Sequence, residues 1–114
     1  MTPKARPQDF GRRWRLRHKA EIRRALSEGR KRSFPELACY VLSNGEGHAR
    51  LGLAVSRKVG NAVQRNRVKR RLREAFRQSL WRDQAKDLML VARPACAQCS
   101  YQVLAMRVDA VLRP

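Results

Sequence analysis

The sequence predicts an α+β fold, a single domain with helices packed on a four-stranded sheet, and three observations carry that prediction. Apolar runs of strand length recur at 37–42, 49–56 and 86–94, and the short segment "KRSF" at 31–34 precedes them as a fourth strand. A long amphipathic stretch at 61–80 stands before the last of these runs, and shorter helical patterns lie at about 18–28 and 101–112. The resulting order, α-β-β-β-α-β-α, is an α+β arrangement, and 114 residues suit one domain with a modest core. An apolar fraction of 43% is too high for a globally disordered chain.

Residues 1–15 carry Pro3, Pro7 and Gly11 and are expected to form a flexible basic arm, leaving 16–114 as the folded domain. In the first helix Ile22, Ala25 and Leu26 recur at helical spacing, and Gly29 sits where a C-terminal cap belongs. "LACYVL" and "ARLGLAVS" flank "SNGEGH", and two β-rich runs around Asn-Gly predict a hairpin, with room for a loop longer than two residues. In the long helix Val68, Leu72, Ala75, Phe76 and Leu80 form one stripe that faces a core. Asn66, Arg70, Arg73 and Arg77 form a second stripe on the opposite side, while Arg67 and Arg71 lie beside Glu74, which can pair with Arg70 or Arg71. "KDLMLVARP" reads as a buried strand ended by Pro94, and Tyr101, Leu104, Val108, Val111 and Leu112 give a final amphipathic helix with Ser100 as its candidate cap. Trp81 is expected to pack in the core; Trp14, in the arm, has no place in this pattern.

Charge narrows the function. The chain has 27 Lys and Arg against 9 Asp and Glu, a net charge of +18, which points to nucleic acid or an anionic membrane surface. No run approaches the roughly 18 to 20 apolar residues of a spanning helix. The N-terminus lacks the apolar segment of a signal peptide, and Asp9 with the absence of Ser argues against a transit peptide, so a cytoplasmic protein is expected. Three cysteines, Cys39, Cys96 and Cys99, fit a reducing compartment. Residues 64–77 hold seven basic residues and one acid, Glu74. A solvated helix normally mixes both signs, and a polyanion is the simplest partner that relieves this repulsion. Embedded in an amphipathic helix, the run is a poor flexible nuclear address. A helix-turn-helix protein would need a second helix a few residues away, where strands are predicted instead.

Protein-based hydrolysis of a phosphodiester needs a positioned acid and base, or carboxylates that hold metal. The two histidines, His18 and His48, fall at a helix start and in a loop, and the nine acids are scattered singly, so no catalytic residues are expected. "CAQC" at 96–99 has the spacing of a redox pair or half a zinc site, but only Cys39, His18 and His48 remain to complete the latter. Coincidence is the simpler reading, and no metal site is expected.

The segment "AVSRKVGNAVQRNRVKRRLREAF" (54–76) resembles the signature of the bacterial ribonuclease P protein component: a strand, a "K-x-G-N-A-V" turn, then "R-N-R-x-K-R" opening a long helix. The resemblance extends through "WRLRHKAEIRRALSEG", "LACYVL" and "KDLMLVARP", and so covers nearly the whole chain. It implies a fold like domain 2 of ribosomal protein S5, with a left-handed crossover around the long helix, against the usual right-handed preference. It also implies an accessory protein of an endoribonuclease whose RNA subunit is the catalyst and which removes the 5′ leader from precursor tRNA.

Carried onto this sequence, the RNA-contacting set is Arg65, Asn66, Arg67, Lys69, Arg70 and Arg73, with Ser56, Arg57, Lys58 and Asn61 in the preceding turn; the basic stripe adds Arg77. The leader would lie in a cleft between the first helix and the sheet, formed by Ile22, Leu26 and Tyr40. Tyr40 matches the family's cleft tyrosine, whereas Ile22 and Leu26 stand where the family commonly has aromatic residues. Stacking is worth roughly 1 to 3 kcal/mol per base, so aliphatic groups keep apolar contact but weaken that contribution. The implied partners are the ribonuclease P RNA subunit and precursor tRNA, with no membrane and no obligate protein partner. Mg²⁺ serves the ribonucleoprotein and is mainly RNA-bound; no organic cofactor is implied. A general RNA-binding or ribosomal RNA chaperone protein shares the basic surface, but generic electrostatics does not require the ordered "K-x-G-N-A-V-x-R-N-R" element.

Overall fold

The two most apolar runs of strand length, 37–42 and 88–92, claim the middle of the sheet. In the computed structural model, which describes residues 12–114, Lys86–Ala92 is flanked on both sides by other strands. The elements are α1 (Lys19–Glu28), β1 (Arg30–Ser33), β2 (Leu37–Ser43), β3 (Arg50–Ala54), α2 (Ala62–Gln78), β4 (Lys86–Ala92) and α3 (Tyr101–Leu112). The sheet order is β1-β2-β4-β3. β1 and β2 pair antiparallel, β2 and β4 antiparallel, and β3 and β4 parallel, so β3-α2-β4 is a parallel crossover unit.

The hairpin expected around "SNGEGH" does not form. β2 and β3 run in opposite directions but β4 lies between them, so the connecting loop bridges two strand spacings, about 9.6 Å. The loop instead bonds to the segment leading into β4, with Asn44 N–H donating to Ala85 O at 3.0 Å and Ala49 N–H to Arg82 O at 2.8 Å. An Asn-Gly pair permits a tight turn but cannot outweigh the burial gained when a strand as apolar as "DLMLVA" takes neighbours on both edges.

Alternation along the strands separates two faces. Leu37 and Cys39 of β2, Leu51 of β3, and Leu88, Leu90 and Ala92 of β4 face α2 and α3, which supply Val68, Leu72, Ala75, Phe76, Leu104, Val108, Val111 and Leu112 to the main core. Ser100 caps α3 by accepting from Val103 N–H at 3.3 Å. Gly29 ends α1, its N–H donating to Ala25 O. Leu80, expected on the core stripe, is 86% exposed because α2 ends at Gln78 and the chain turns at Ser79 before reaching it. Trp81, next in sequence, is half-buried against the core.

The opposite face carries a smaller cluster, Leu16, Ala25 and Met89, with Ile22, Tyr40 and Ala54 packed against it. Here α1 is pinned by ion pairs. Arg50 makes a two-pronged contact with Asp87, Nε to Oδ1 at 2.8 Å and Nη2 to Oδ2 at 2.9 Å, and its Nη1 reaches Glu21 Oε2 on α1 at 3.1 Å. Asn44 Nδ2 also donates to Asp87 Oδ1, at 2.9 Å.

Of the expected arm, residues 1–11 lie outside the described residues. From Arg12 the chain forms a turn of 3-10 helix and then follows the edge of β3, with Leu16 N–H donating to Leu51 O at 3.0 Å. Trp14 docks this segment. Its ring stands 4.6 Å from His48 and 6.3 Å from Phe76, and the guanidiniums of Arg82 and Arg13 approach it at 4.8 and 5.0 Å.

Replacing Asp87 with Ala leaves Arg50 in a largely buried site with half its partners gone. Loss of one member of such a pair costs about 3 kcal/mol or more. Urea denaturation of Asp87→Ala is expected to show a midpoint lowered accordingly, and an unchanged midpoint would rule out the pair as a fastening.

Candidate nucleic-acid interface

The turn before α2 is built to expose cations. Val59 is buried and anchors it, while Val59 N–H donates to Ser56 O and Gly60 N–H to Arg57 O, closing a tight bend on which Ser56, Arg57 and Lys58 are exposed. Asn61 starts the helix by a reciprocal cap: its Oδ1 accepts from Gln64 N–H at 2.9 Å, and Gln64 Oε1 accepts from Asn61 N–H at 2.8 Å. A Cβ at Gly60 would stand 2.1 Å from Gln64 Oε1, and φ there is +156°, so a side chain would break the cap. Half of the "GNAVQ" motif therefore has a structural cause, and Asn61 uses its side-chain oxygen within the fold.

Along α2, burial of Val68, Leu72, Ala75 and Phe76 fixes the rotation of the helix, which sets where the cations point. Asn66, Arg67 and Arg70 are exposed, and Arg65, Lys69, Arg73 and Arg77 are half-buried. Glu74 pairs with Arg77, one turn on, rather than with Arg70 or Arg71, and its other oxygen accepts from Gln78 Nε2 at 2.9 Å. These contacts hold its carboxyl below the usual range. Arg71 is occupied elsewhere, donating to Cys99 O at 3.1 Å and tying α2 to the segment before α3. Arg77 thus has part of its charge answered locally, whereas Arg65, Arg67, Lys69 and Arg70 have no ion pair among the described residues.

Most of the described acids are paired within the fold: Glu21 and Asp87 with Arg50, Glu36 with Arg107, Glu28 with Arg24, Asp109 with Arg113. The basic surface also reaches beyond the expected set. Arg15 and Arg17 of the N-terminal segment and Lys69 and Arg73 of α2 line one hollow of about 160 Å³ over Leu16, Leu51 and Gly52. Burial and then the Arg15 charge lower the pKa of the Arg73 guanidinium. Sequence reasoning placed Arg15 in a mobile arm. The signal that could have found it is the alternation in "RWRLR", where Trp14 and Leu16 turn inward and Arg13, Arg15 and Arg17 are exposed.

On the α1 side of the sheet, Ile22 and Tyr40 come together on the smaller cluster, both half-buried. Leu26, one turn along α1, is 40% exposed and lies outside that cluster. Lys31 of β1 is Tyr40's cross-strand partner, with Nζ 5.7 Å from the ring centre.

The remaining candidates have packing roles. Cys39 and Cys96 are buried in the main core and Cys99 is half-buried against it; all three are free thiols. His18 stands at the N-terminus of α1 and His48 stacks near Trp14. No group of three or more His, Cys, Asp or Glu placed to hold a metal ion occurs among the described residues. No helix is long and apolar enough to cross a membrane among them.

Comparison with known proteins agrees with the motif. Residues 10–114 match the family described as Ribonuclease P. The ribonuclease P protein component of Alkaliphilus metalliredigens (strain QYMF) is 33% identical over 89 residues, covering 77% of this chain and 80% of that protein. That of Streptococcus pyogenes serotype M12 (strain MGAS2096) is 28% identical over 100 residues, covering 88% and 84%. Among solved structures, the Staphylococcus aureus RNase P protein superposes with a TM-score of 0.73 at 31% identity, covering 88% of this chain and 93% of that one. The Thermotoga maritima RNase P protein gives 0.76 at 25% identity, covering 87% and 94%.

The cysteines provide a chemical check on the packing. Burial pushes the Cys39 and Cys96 thiols up to about 12, and the thiolate is the nucleophile. At pH 8 iodoacetamide is expected to label Cys99 first and leave Cys39 and Cys96 unlabelled until urea unfolds the chain. Rapid native labelling of Cys39 would contradict the core described above.

Proposed function

Because this chain belongs to the ribonuclease P protein family, as a component of the ribonuclease P endoribonuclease that implies a ribonuclease P RNA partner, we propose that it grips that RNA through the turn at Ser56–Asn61 and the exposed face of α2, and holds the 5′ leader of precursor tRNA between α1 and the sheet. The observation that carries this reading is the segregation of charge. The described acids of the helices and strands are tied to structural arginines, while Arg57, Lys58, Arg65, Arg67, Lys69 and Arg70 lie together without ion pairs among the described residues. Keeping like charges this close costs energy in the free protein, and phosphates that bring release of their counterions offset it.

In this reading the chemistry belongs to the RNA subunit and its Mg²⁺, and the protein supplies fixed cations that let two polyanions approach. The RNA then needs less Mg²⁺ to reach the same rate. The support for leader binding is the half-buried Tyr40 on the sheet face beside Ile22, an aromatic group of the kind on which bases stack.

The deciding experiment is cleavage of a precursor tRNA by a bacterial ribonuclease P RNA at low Mg²⁺, with and without this protein. Cleavage at the mature 5′ end only when the protein is present is the expected result. Tight RNA binding with no stimulation would instead indicate a general RNA-binding protein.

For the interface itself, Arg70→Ala is expected to weaken binding to the RNA subunit and to make the slope of log affinity against log salt shallower by about 0.7 to 0.9 per lost phosphate contact. A salt slope identical to that of the unsubstituted protein would remove Arg70 from the interface.

A further inference from the structure

We propose that Lys31 and Arg93 form a cationic wall along the β1 side of the sheet face, and that this wall holds the phosphates of the single strand whose base rests on Tyr40. The inference rests on the leader reading above and names the groups that would give it affinity.

Strand register places both cations. β1 alternates, so Arg30 and Arg32, partners of Val41 and Cys39, turn toward α3, and Arg32 is used there, donating from Nη1 to Ala110 O at 3.1 Å. Lys31 and Ser33, partners of Tyr40 and Ala38, turn the other way, onto the face that carries α1. Arg93, just past the end of β4, reaches the same face, its Nη2 donating to Ser33 Oγ at 3.3 Å. The two positions on β1 are two residues apart, about 7 Å along the strand. Between them and α1 lie the half-buried Tyr40 and Val91, with Ala38 buried beneath, an apolar surface with one aromatic ring.

Charge selects the occupant. Neither Lys31 nor Arg93 has an ion pair among the described residues, and the nearby Glu28 and Glu36 are tied to Arg24 and Arg107. A wall of cations beside a ring that offers a π-face suits a single-stranded phosphodiester chain, since the bases stack and the phosphates find the cations. A folded duplex would not fit, because its bases are already stacked. With a single ring on that surface, stacking supplies a small share of the grip and charge a large one, so leader binding should be strongly salt-dependent.

The test uses the ribonucleoprotein reconstituted with a bacterial ribonuclease P RNA, and two precursor tRNAs, one with a leader long enough to cross the sheet and one with its leader trimmed to a single nucleotide. Affinity for each is measured across a salt series. For the long leader, Lys31→Ala is expected to lower affinity several-fold and to reduce the salt slope by about 0.7 of a unit. It should leave the trimmed leader unaffected, and Lys31→Arg should restore the loss. Lys31 is exposed, so its removal leaves the core intact, and Tyr40→Ala serves as the partner variant, reducing long-leader affinity with the salt slope unchanged. If the unsubstituted ribonucleoprotein binds both leaders equally, the leader reading fails and this inference with it. If it prefers the long leader and Lys31→Ala preserves both the preference and the slope, the wall is excluded while the leader reading stands.

Discussion

The contact among Arg50, Asp87 and Glu21 is the constraint on which the α1 face depends. Arg50 and Asp87 are register partners across the parallel β3–β4 pair, and Glu21 belongs to α1, so one guanidinium joins two strands and a helix. Asp87 is 5% exposed, and burying it would be costly without its bidentate partner and the added bond from Asn44. Satisfied in this way, the group fixes where α1 crosses the sheet. α1 then packs on Met89 through Ala25 and Ile22, with Tyr40 half-buried beside them toward β1. A purely apolar contact of the same size would hold α1 with less directional restraint, because dispersion is tolerant of sliding where paired hydrogen bonds are not.

Fixing α1 and the core face also sorts the charge. Once Val68, Leu72 and Phe76 set the rotation of α2, its other side chains turn away from the core, and most of the charged ones are basic. Several acids sit where they fasten elements together: Glu21 and Asp87 under α1, and Glu36 to α3 through Arg107. The same ion pairs that stabilise the fold therefore withdraw negative charge from the basic surface. Even Glu74, the single acid within the basic run, answers Arg77 at the far end of the helix and leaves the first two turns without an acid. Stability and recognition draw on one charge distribution and do not compete for it.

The N-terminal segment shows the same economy. Trp14 lies between the guanidiniums of Arg13 and Arg82, and Leu16 fills the small cluster under α1. Together they bring Arg15 and Arg17 against Lys69 and Arg73, residues more than fifty positions away in the chain. A segment rich in Arg and flanked by Pro reads locally as a loose tail. Its docking comes from two apolar side chains at alternate positions, a pattern too short to be distinguished from chance without the β3 edge it lies against.

The sequence by itself determined the elements, their order and the position of the basic helix, because those follow from local periodicity, caps and a long ordered motif. Ser100, Gly29 and the stripe through Val68, Leu72, Ala75 and Phe76 each did what their spacing implied. Only the tertiary structure decided which strands became neighbours. Asn-Gly argued for pairing β2 with β3, yet β4 lies between them, because burial on both faces and hydrogen bonding on both edges is a property of the assembled sheet that no local turn can encode. Pairing decided the rest: it set Lys31 opposite Tyr40 and Arg50 opposite Asp87. Side-chain partners such as Glu74 with Arg77 were equally undetermined, since several cations lie within one helical turn and the choice depends on what else holds each of them.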